Sequence, residues 1–163
     1  MDLTAKTPSQ SAVESRYLVM PQHANPFGTA FGGVIMSWID MAASMAAQKH
    51  CGTEVVTASI DSLSFEQPIR IGDQVVLRAC VNYVSRTSME VGVKVFRENP
   101  ISNECTPATK AYLTFVAIDA NHRPVPAPPL MPQTEDEKRR AANAALRVKS
   151  RKCLRQQVKT RAE

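Results

Sequence analysis

The stretch that decides the fold is HANPFGTAFGGVIMSWID, residues 23–40. An asparagine, a proline and three glycines (Gly28, Gly32 and Gly33) are set in and ahead of an apolar run. Asp40 then follows the only tryptophan, Trp38, by two positions. Asn25-Pro26 and Gly32-Gly33 read as loop and turn, and the apolar run reads as a helix to about His50, stopped by Cys51-Gly52. At about 100° per residue, Val34, Trp38, Met41 and Met45 cluster within about 60° and predict the core stripe. Asp40 falls near 240°, about opposite, with Gly33, Ser37 and Ser44, and with Ala43 and Ala47 flanking. A face of Gly, Ala and Ser is not the Lys- and Glu-rich face that usually meets water. Small side chains let a ligand or another backbone approach. Three readings stand here: an exposed helix aspartate, an aspartate paired with a nearby arginine, or a carboxylate with a chemical task.

The start of the helix offers a complementary feature. Gly32 and Gly33 bring backbone N–H groups without side chains to a helix N-terminus, where unpaired donors and the positive dipole end suit a developing oxyanion. Simple turn chemistry explains the glycines equally well. Gly33 and Asp40 lie seven residues apart, about 10 Å along one helix axis, too far for one reacting carbonyl to touch both. If both act on one bond, they come from two copies of the helix. The spacing then predicts a homodimer with the site between subunits.

The rest of the chain changes period. Residues 12–20 and 55–65 read as strands, and Pro68 with Gly72-Asp73 turns the chain between. Residues 74–84 put Val75, Leu77, Ala79, Val81 and Tyr83 on one face at period two. Residues 89–96 do the same with Met89, Val91, Val93 and Val95. Residues 106–119 form the last long strand. The expected fold class is α+β: one long helix against an antiparallel sheet of about five strands, plus a C-terminal helix. Residues 1–11 are polar and expected to be disordered, and 12–121 form the domain. Residues 122–133 hold five of the chain's 11 prolines and read as an extended linker. Thr134 to Glu137 then make a T-x-x-E capping box that opens a basic helix over 134–163.

Composition bounds the function. The 163 residues suit one domain with a real core. Residues 1–134 hold 10 Lys/Arg and 11 Asp/Glu, whereas 135–163 hold 10 and 4, so the net charge of +5 belongs to the tail. The tail lacks an aromatic residue to stack on bases, which favours a peripheral helix or an oligomer contact over a nucleic-acid arm. No apolar run approaches the roughly 18 residues of a membrane span, and no secretory leader is visible, so a soluble cytoplasmic protein is expected. The four cysteines form no C-x-x-C pair and stand at no zinc-ligand spacing; reduced thiols and no metal are expected. G-x-S-x-G, P-loop and G-x-G-x-x-G motifs are all absent.

Asn25-Pro26-Phe27-Gly28, Phe31-Gly32-Gly33 and Trp38-Ile39-Asp40 together resemble the N-x-x-G-x-x-F-G-G-x-x-[ML]-x-x-x-D signature of hotdog-fold acyl-CoA thioesterases. Val56-Thr57-Ala58-Ser59-Ile60-Asp61, Phe65, Pro68 and Gly72-Asp73 extend the match. Arg86-Thr87-Ser88-Met89 resembles the family's G-[RK]-[TS]-S segment, with Ser85 where the family has Gly. The resemblance spans residues 12–120 and is closest to the cytosolic acyl-CoA hydrolases related to brain acyl-CoA hydrolase. It implies a curved sheet wrapped around one helix, a dimer that commonly assembles into a trimer of dimers, and hydrolysis of acyl-CoA without metal or other cofactor. It maps the catalytic pair onto Asn25 of one subunit and Asp40 of the other. It maps coenzyme A contacts onto Arg86, Thr87 and Ser88. Arg70 and Lys94 are further cations for the coenzyme A phosphates, and His23 lies close to Asn25. Asp40 is expected to act as general base on a water or as nucleophile, with Gly32 and Gly33 holding the oxyanion. The rival is a non-catalytic acyl-CoA-sensing module of the same fold. Hotdog hydratases instead use a D-x-x-x-x-H pairing, which is missing here.

Overall fold

The structure, a computed structural model, describes residues 3–61 and 63–162. Five antiparallel strands form one sheet: β1 (Val13–Leu18), β2 (Glu54–Ile60), β3 (Gln74–Val84), β4 (Ser88–Glu98) and β5 (Cys105–Ile118). Their order is β1-β3-β4-β5-β2, so β2 crosses over to become an edge. The central meander sets Leu77 opposite Val95, Val91 opposite both Val81 and Leu113, and Val93 opposite Ala111, with register shifts after Val81 and after Val95. These odd-numbered positions share one face at period two, and all of them are buried. The long helix α1 (Gly32–Cys51) packs on that face against strands β1 to β5. Gly52 ends it at φ 70, the left-handed region a glycine enters freely. No helix among the described residues is long and apolar enough to cross a membrane.

The face of α1 that packs inward differs from the expected stripe. Ile35, Trp38, Ile39, Ala42, Ala43, Ala46 and Ala47 are buried, whereas Met41 and Met45 are exposed and Val34 is only partly covered. The helix is apolar nearly all round, so hydrophobic periodicity cannot choose a face. Four alanines decide it, because they let the helix axis approach the sheet. Trp38 anchors the other end of the contact. It stacks on Tyr17 with centroids 4.5 Å apart and meets the His23 ring edge-on at 5.2 Å.

β2 is also shorter than the 55–65 stretch suggests and ends at Ile60. Residues 63–69 still run beside β5, with Glu66 N–H donating to Ala108 O at 3.0 Å, but as irregular chain ending in Pro68, which has no N–H to give.

Residues 3–11 are not disordered. Lys6 N–H donates to Pro129 O at 2.9 Å, Met131 N–H returns to Lys6 O at 2.8 Å, and Ser11 Oγ accepts from Val81 N–H at 2.9 Å. The proline-rich segment is extended but is no free spacer. It is a strap laid on the domain, with Val125 N–H bonded to Ala117 O and Ala127 N–H to Arg86 O. The buried His50 Nε2 bonds Pro128 O at 2.8 Å from the end of α1.

The C-terminal helix α2 (Glu135–Ala162) begins with the expected capping box. Glu137 N–H donates to Thr134 Oγ1, and Glu137 Oε2 accepts from Thr134 N–H and from Gln133 N–H at 2.8 Å. These backbone donors, Gln133 first, hold the Glu137 carboxyl below its ordinary range. The helix then crosses the sheet face away from α1. Arg147 lies over the Tyr112 ring at 3.6 Å and grips Glu90 at 2.6 Å. Arg151 bridges Glu90 at 2.8 Å and Asp61 at 2.5 Å. Glu90 is 1% exposed, so these arginines neutralise a buried charge.

Candidate active site

The loop before α1 is built by Asn25. Its Oδ1 accepts from Phe27 N–H at 3.0 Å and Thr29 N–H at 3.2 Å, and its Nδ2 donates to Thr29 Oγ1 at 2.9 Å. Asn25 N–H bonds Thr29 O at 2.8 Å, and Gly28, at φ 74, makes the reversal possible. The carbonyl oxygen of the amide is therefore committed to the loop. One Nδ2 hydrogen remains to donate outward. The loop borders a cleft of about 390 Å³, together with Gly32, Ile35, Phe65, Pro68 and Ile69. Among the described residues nothing accepts from Gly32 N–H or Gly33 N–H, the first donors of α1. Two free backbone donors and one amide hydrogen thus sit beside an apolar cleft, an arrangement that can hold a carbonyl oxygen as it gains charge.

Asp40 is not on that cleft. It is half-buried two turns along α1, where Thr57 of β2 donates to its Oδ1 at 2.9 Å. Asp40 makes no ion pair among the described residues, so the reading of an aspartate paired with an arginine is set aside. Its second oxygen stays available to a water or a carbonyl carbon. Thr57 was not legible as a site residue: a threonine in an apolar strand usually only signals an edge. Around Asp40 the surface is apolar and open, with Met36, Met41 and Met45 on α1 and Val56 and Ile60 on β2 all exposed. β2 is also one of the two sheet edges, the other being β1, with one row of backbone groups unpaired within the chain.

The cations separate in the same way. Ser85, Arg86 and Thr87 connect β3 to β4, and Ser85 N–H to Ser88 O at 2.7 Å closes the turn around Arg86 and Thr87. Only Asn103 and His122 among described non-glycine residues have positive φ, so Ser85 takes the family's glycine position without strain. Arg86 is exposed and makes no ion pair among the described residues. Arg70 lies at the opposite end of β3, bridged by its backbone to Thr29 beside the first cleft. The 11 residues of β3 separate the two arginines by roughly 36 Å of strand. One chain therefore cannot bring Arg70 and Arg86 to one ligand. His23 is occupied structurally, its Nδ1 accepting from Met20 N–H at 3.1 Å while its ring packs on Trp38. No group of three or more His, Cys, Asp or Glu among the described residues could hold a metal ion.

Comparisons with known proteins match this architecture. The family model described as Thioesterase superfamily matches residues 27–102. An uncharacterized acyl-CoA thioester hydrolase of Bacillus subtilis, YkhA, is 43% identical over 88% of this chain and 83% of its own. The acyl-CoA hydrolase of Staphylococcus aureus, solved with butyryl coenzyme A, coenzyme A and coenzyme A disulfide, is 38% identical, covers 96% of this chain and 95% of its own, and superposes with a TM-score of 0.89. That enzyme has also been solved with an asparagine, an aspartate and a threonine each replaced by alanine, spaced by 15 and then 17 residues, as Asn25, Asp40 and Thr57 are here. A hexameric acyl-CoA thioesterase is 40% identical, with 91% of this chain and 96% of its own covered and a TM-score of 0.88. By its sheet order, its central helix and these relatives, the chain belongs to the thioesterase superfamily, among the hotdog-fold acyl-CoA thioester hydrolases.

Proposed function

We propose that this protein hydrolyses acyl-CoA thioesters to free acid and coenzyme A at a site completed by two copies of the chain. The observation that carries the proposal is the division of parts: Asn25 and Gly32 border one cleft, with Gly33 next in the chain, while Asp40 with Thr57 stands two turns away on an open apolar face. Pairing β2 with the β2 of a second copy satisfies the free edge, covers Met41, Met45 and Val56, and lets each Asp40 face the other copy's Asn25 loop. The hexameric relative supports assembly beyond the dimer, as a trimer of dimers.

In this reading the thioester oxygen lies on the Gly32 and Gly33 N–H groups with Asn25 Nδ2–H alongside. Asp40 takes a proton from a water as that water attacks the carbonyl carbon, or attacks itself. Where water attacks, the tetrahedral intermediate collapses by breaking the C–S bond and the proton on Asp40 passes to the departing thiolate. Where Asp40 attacks, the thiolate leaves an acyl-aspartyl anhydride, and a water then hydrolyses it, freeing the acid, restoring the Asp40 carboxylate and supplying the proton the thiolate takes up. Each oxyanion donor contributes about 3–4 kcal/mol to the barrier. Arg86, Thr87 and Ser88 meet the coenzyme A phosphates, with Arg70 from a different copy. A cytoplasmic location accords with four free cysteines.

The test is release of free thiol from acyl-CoAs of short to long chain, with Asp40→Ala as control. Turnover by the wild type and its loss in a folded Asp40→Ala protein are expected. Binding of acyl-CoA without thiol release would instead identify a sensing module.

A further inference from the structure

The sheet face away from α1 carries charges the reaction does not use. Arg78 on β3 is the register partner of Lys94 on β4, and Lys94 is the partner of Lys110 on β5. Partners across antiparallel strands point the same way, so three cations stand side by side, and like charges placed so cost stability. Glu14 offsets Arg78 at 2.8 Å. Lys94 and Lys110 have no carboxylate within ion-pairing distance among the described residues. The row lines a cavity of about 740 Å³ roofed by the first turns of α2, a size typical of small-molecule sites. Six cationic side chains line it; Arg78 is paired with Glu14, Arg139 and Arg140 with Asp136, and Arg147 with Glu90, which leaves Lys94 and Lys110 as the unpaired charges among the described residues. Glu137 is already committed to the backbone of Gln133 and Thr134.

Two donors add to the row, the Asn82 amide and the buried Arg140 Nε. Asn82, 4% exposed, borders the cavity. Its Oδ1 accepts from Cys80 Sγ at 3.5 Å, which leaves Nδ2 without an acceptor among the described residues. Gly92 makes room for that amide, since a Cβ there would stand 2.2 Å from Nδ2. Arg140, on the α2 side, keeps its Nε buried and unpartnered. The unmet buried Arg140 Nε is costly, and so are unpaired neighbouring ammonium groups; one ligand with several anionic oxygens answers both.

We infer that this cavity binds a small phosphorylated molecule through Lys94, Lys110 and the Asn82 amide. A diphosphate supplies the charge and the acceptors together, and the recess beneath α2 is too confined for a duplex or a folded partner. The diphosphate can belong to a free metabolite or to a second molecule of coenzyme A. Calorimetric titration at low salt distinguishes these, with inorganic pyrophosphate and coenzyme A as probes against wild type, Lys94→Ala/Lys110→Ala, the milder Lys94→Gln, and Arg86→Ala. Pyrophosphate is expected to bind once per chain, roughly tenfold or more weakly in the double variant and unchanged in Arg86→Ala. Both lysine variants should melt no lower than the wild type without ligand, because they remove repulsion. Coenzyme A binding twice per chain, and once in the double variant, assigns the diphosphate to coenzyme A; once in both assigns it to a free metabolite. Absence of pyrophosphate binding at millimolar concentration, equal binding by the lysine variants, or loss in Arg86→Ala would overturn the assignment.

Discussion

Asp40 stood out in the sequence as a candidate because it broke a pattern: a lone carboxylate on a face of Gly and Ser had no solvation reason to be there. Its partner did not. Thr57 sits 17 residues on, in another element, and only the fold brings its hydroxyl to 2.9 Å from the carboxylate. That bond fixes the rotamer of Asp40 rather than touching substrate, so Thr57→Val should lower kcat about tenfold and leave KM near its wild-type value, whereas Thr57→Ser keeps most activity. Steady-state kinetics on one acyl-CoA checks this. A loss confined to KM would place Thr57 at substrate binding instead. Asn25 was legible too, but its task narrows on inspection, since three of its four hydrogen-bonding capacities hold the loop. His50 shows what sequence cannot supply, namely burial. With the Lys6 ammonium also nearby, burial holds its imidazole below the ordinary 6.5, against the pull of the Pro128 carbonyl. The unfolded chain then takes up a proton near 6.5 that the folded chain refuses. Stability should stand in full above that pH and decline as pH falls below it. Melting temperatures across this window should show a decline that is flatter in His50→Gln; an equal slope in both proteins would clear His50 of the effect.

At the scale of elements, the strands were read best. β3 has the bounds that period two predicts, with Val75, Leu77, Ala79 and Val81 all buried on one face. The helix α1 was placed correctly in the chain but rotated wrongly. Methionines looked like core and alanines like surface, yet packing against a curved sheet rewards the smaller residue. The N-terminal segment and the proline-rich strap were misjudged for another reason. Their bonds are backbone bonds to distant residues, and polar composition carries no record of them. The tail's charge was visible, but its use was not. Arg147 and Arg151 serve the buried Glu90, and breaking a buried ion pair from one side costs about 3–5 kcal/mol. Glu90→Ala should therefore free the far part of α2 and expose it to limited proteolysis after residue 140, with the sheet intact by circular dichroism. A cleavage pattern identical to wild type would show that the helix is held by its capping box and Ala144 alone.

At the scale of the molecule, a single chain is an incomplete object. It leaves an unpaired sheet edge, five exposed apolar side chains around Asp40, two arginines at opposite ends of one strand, and a carboxylate two turns from the donors that the proposed reaction pairs it with. A second copy resolves these together. The most direct measurement combines Asn25→Ala and Asp40→Ala chains, each inactive alone, by co-refolding them and assaying thiol release. Random pairing makes half the dimers mixed, and in each of these one of the two shared sites carries both native residues, so about one quarter of wild-type activity should return. If the mixture stays at the level of the two parents although subunit exchange is shown by affinity tags, the site lies within one chain and the shared cleft is wrong.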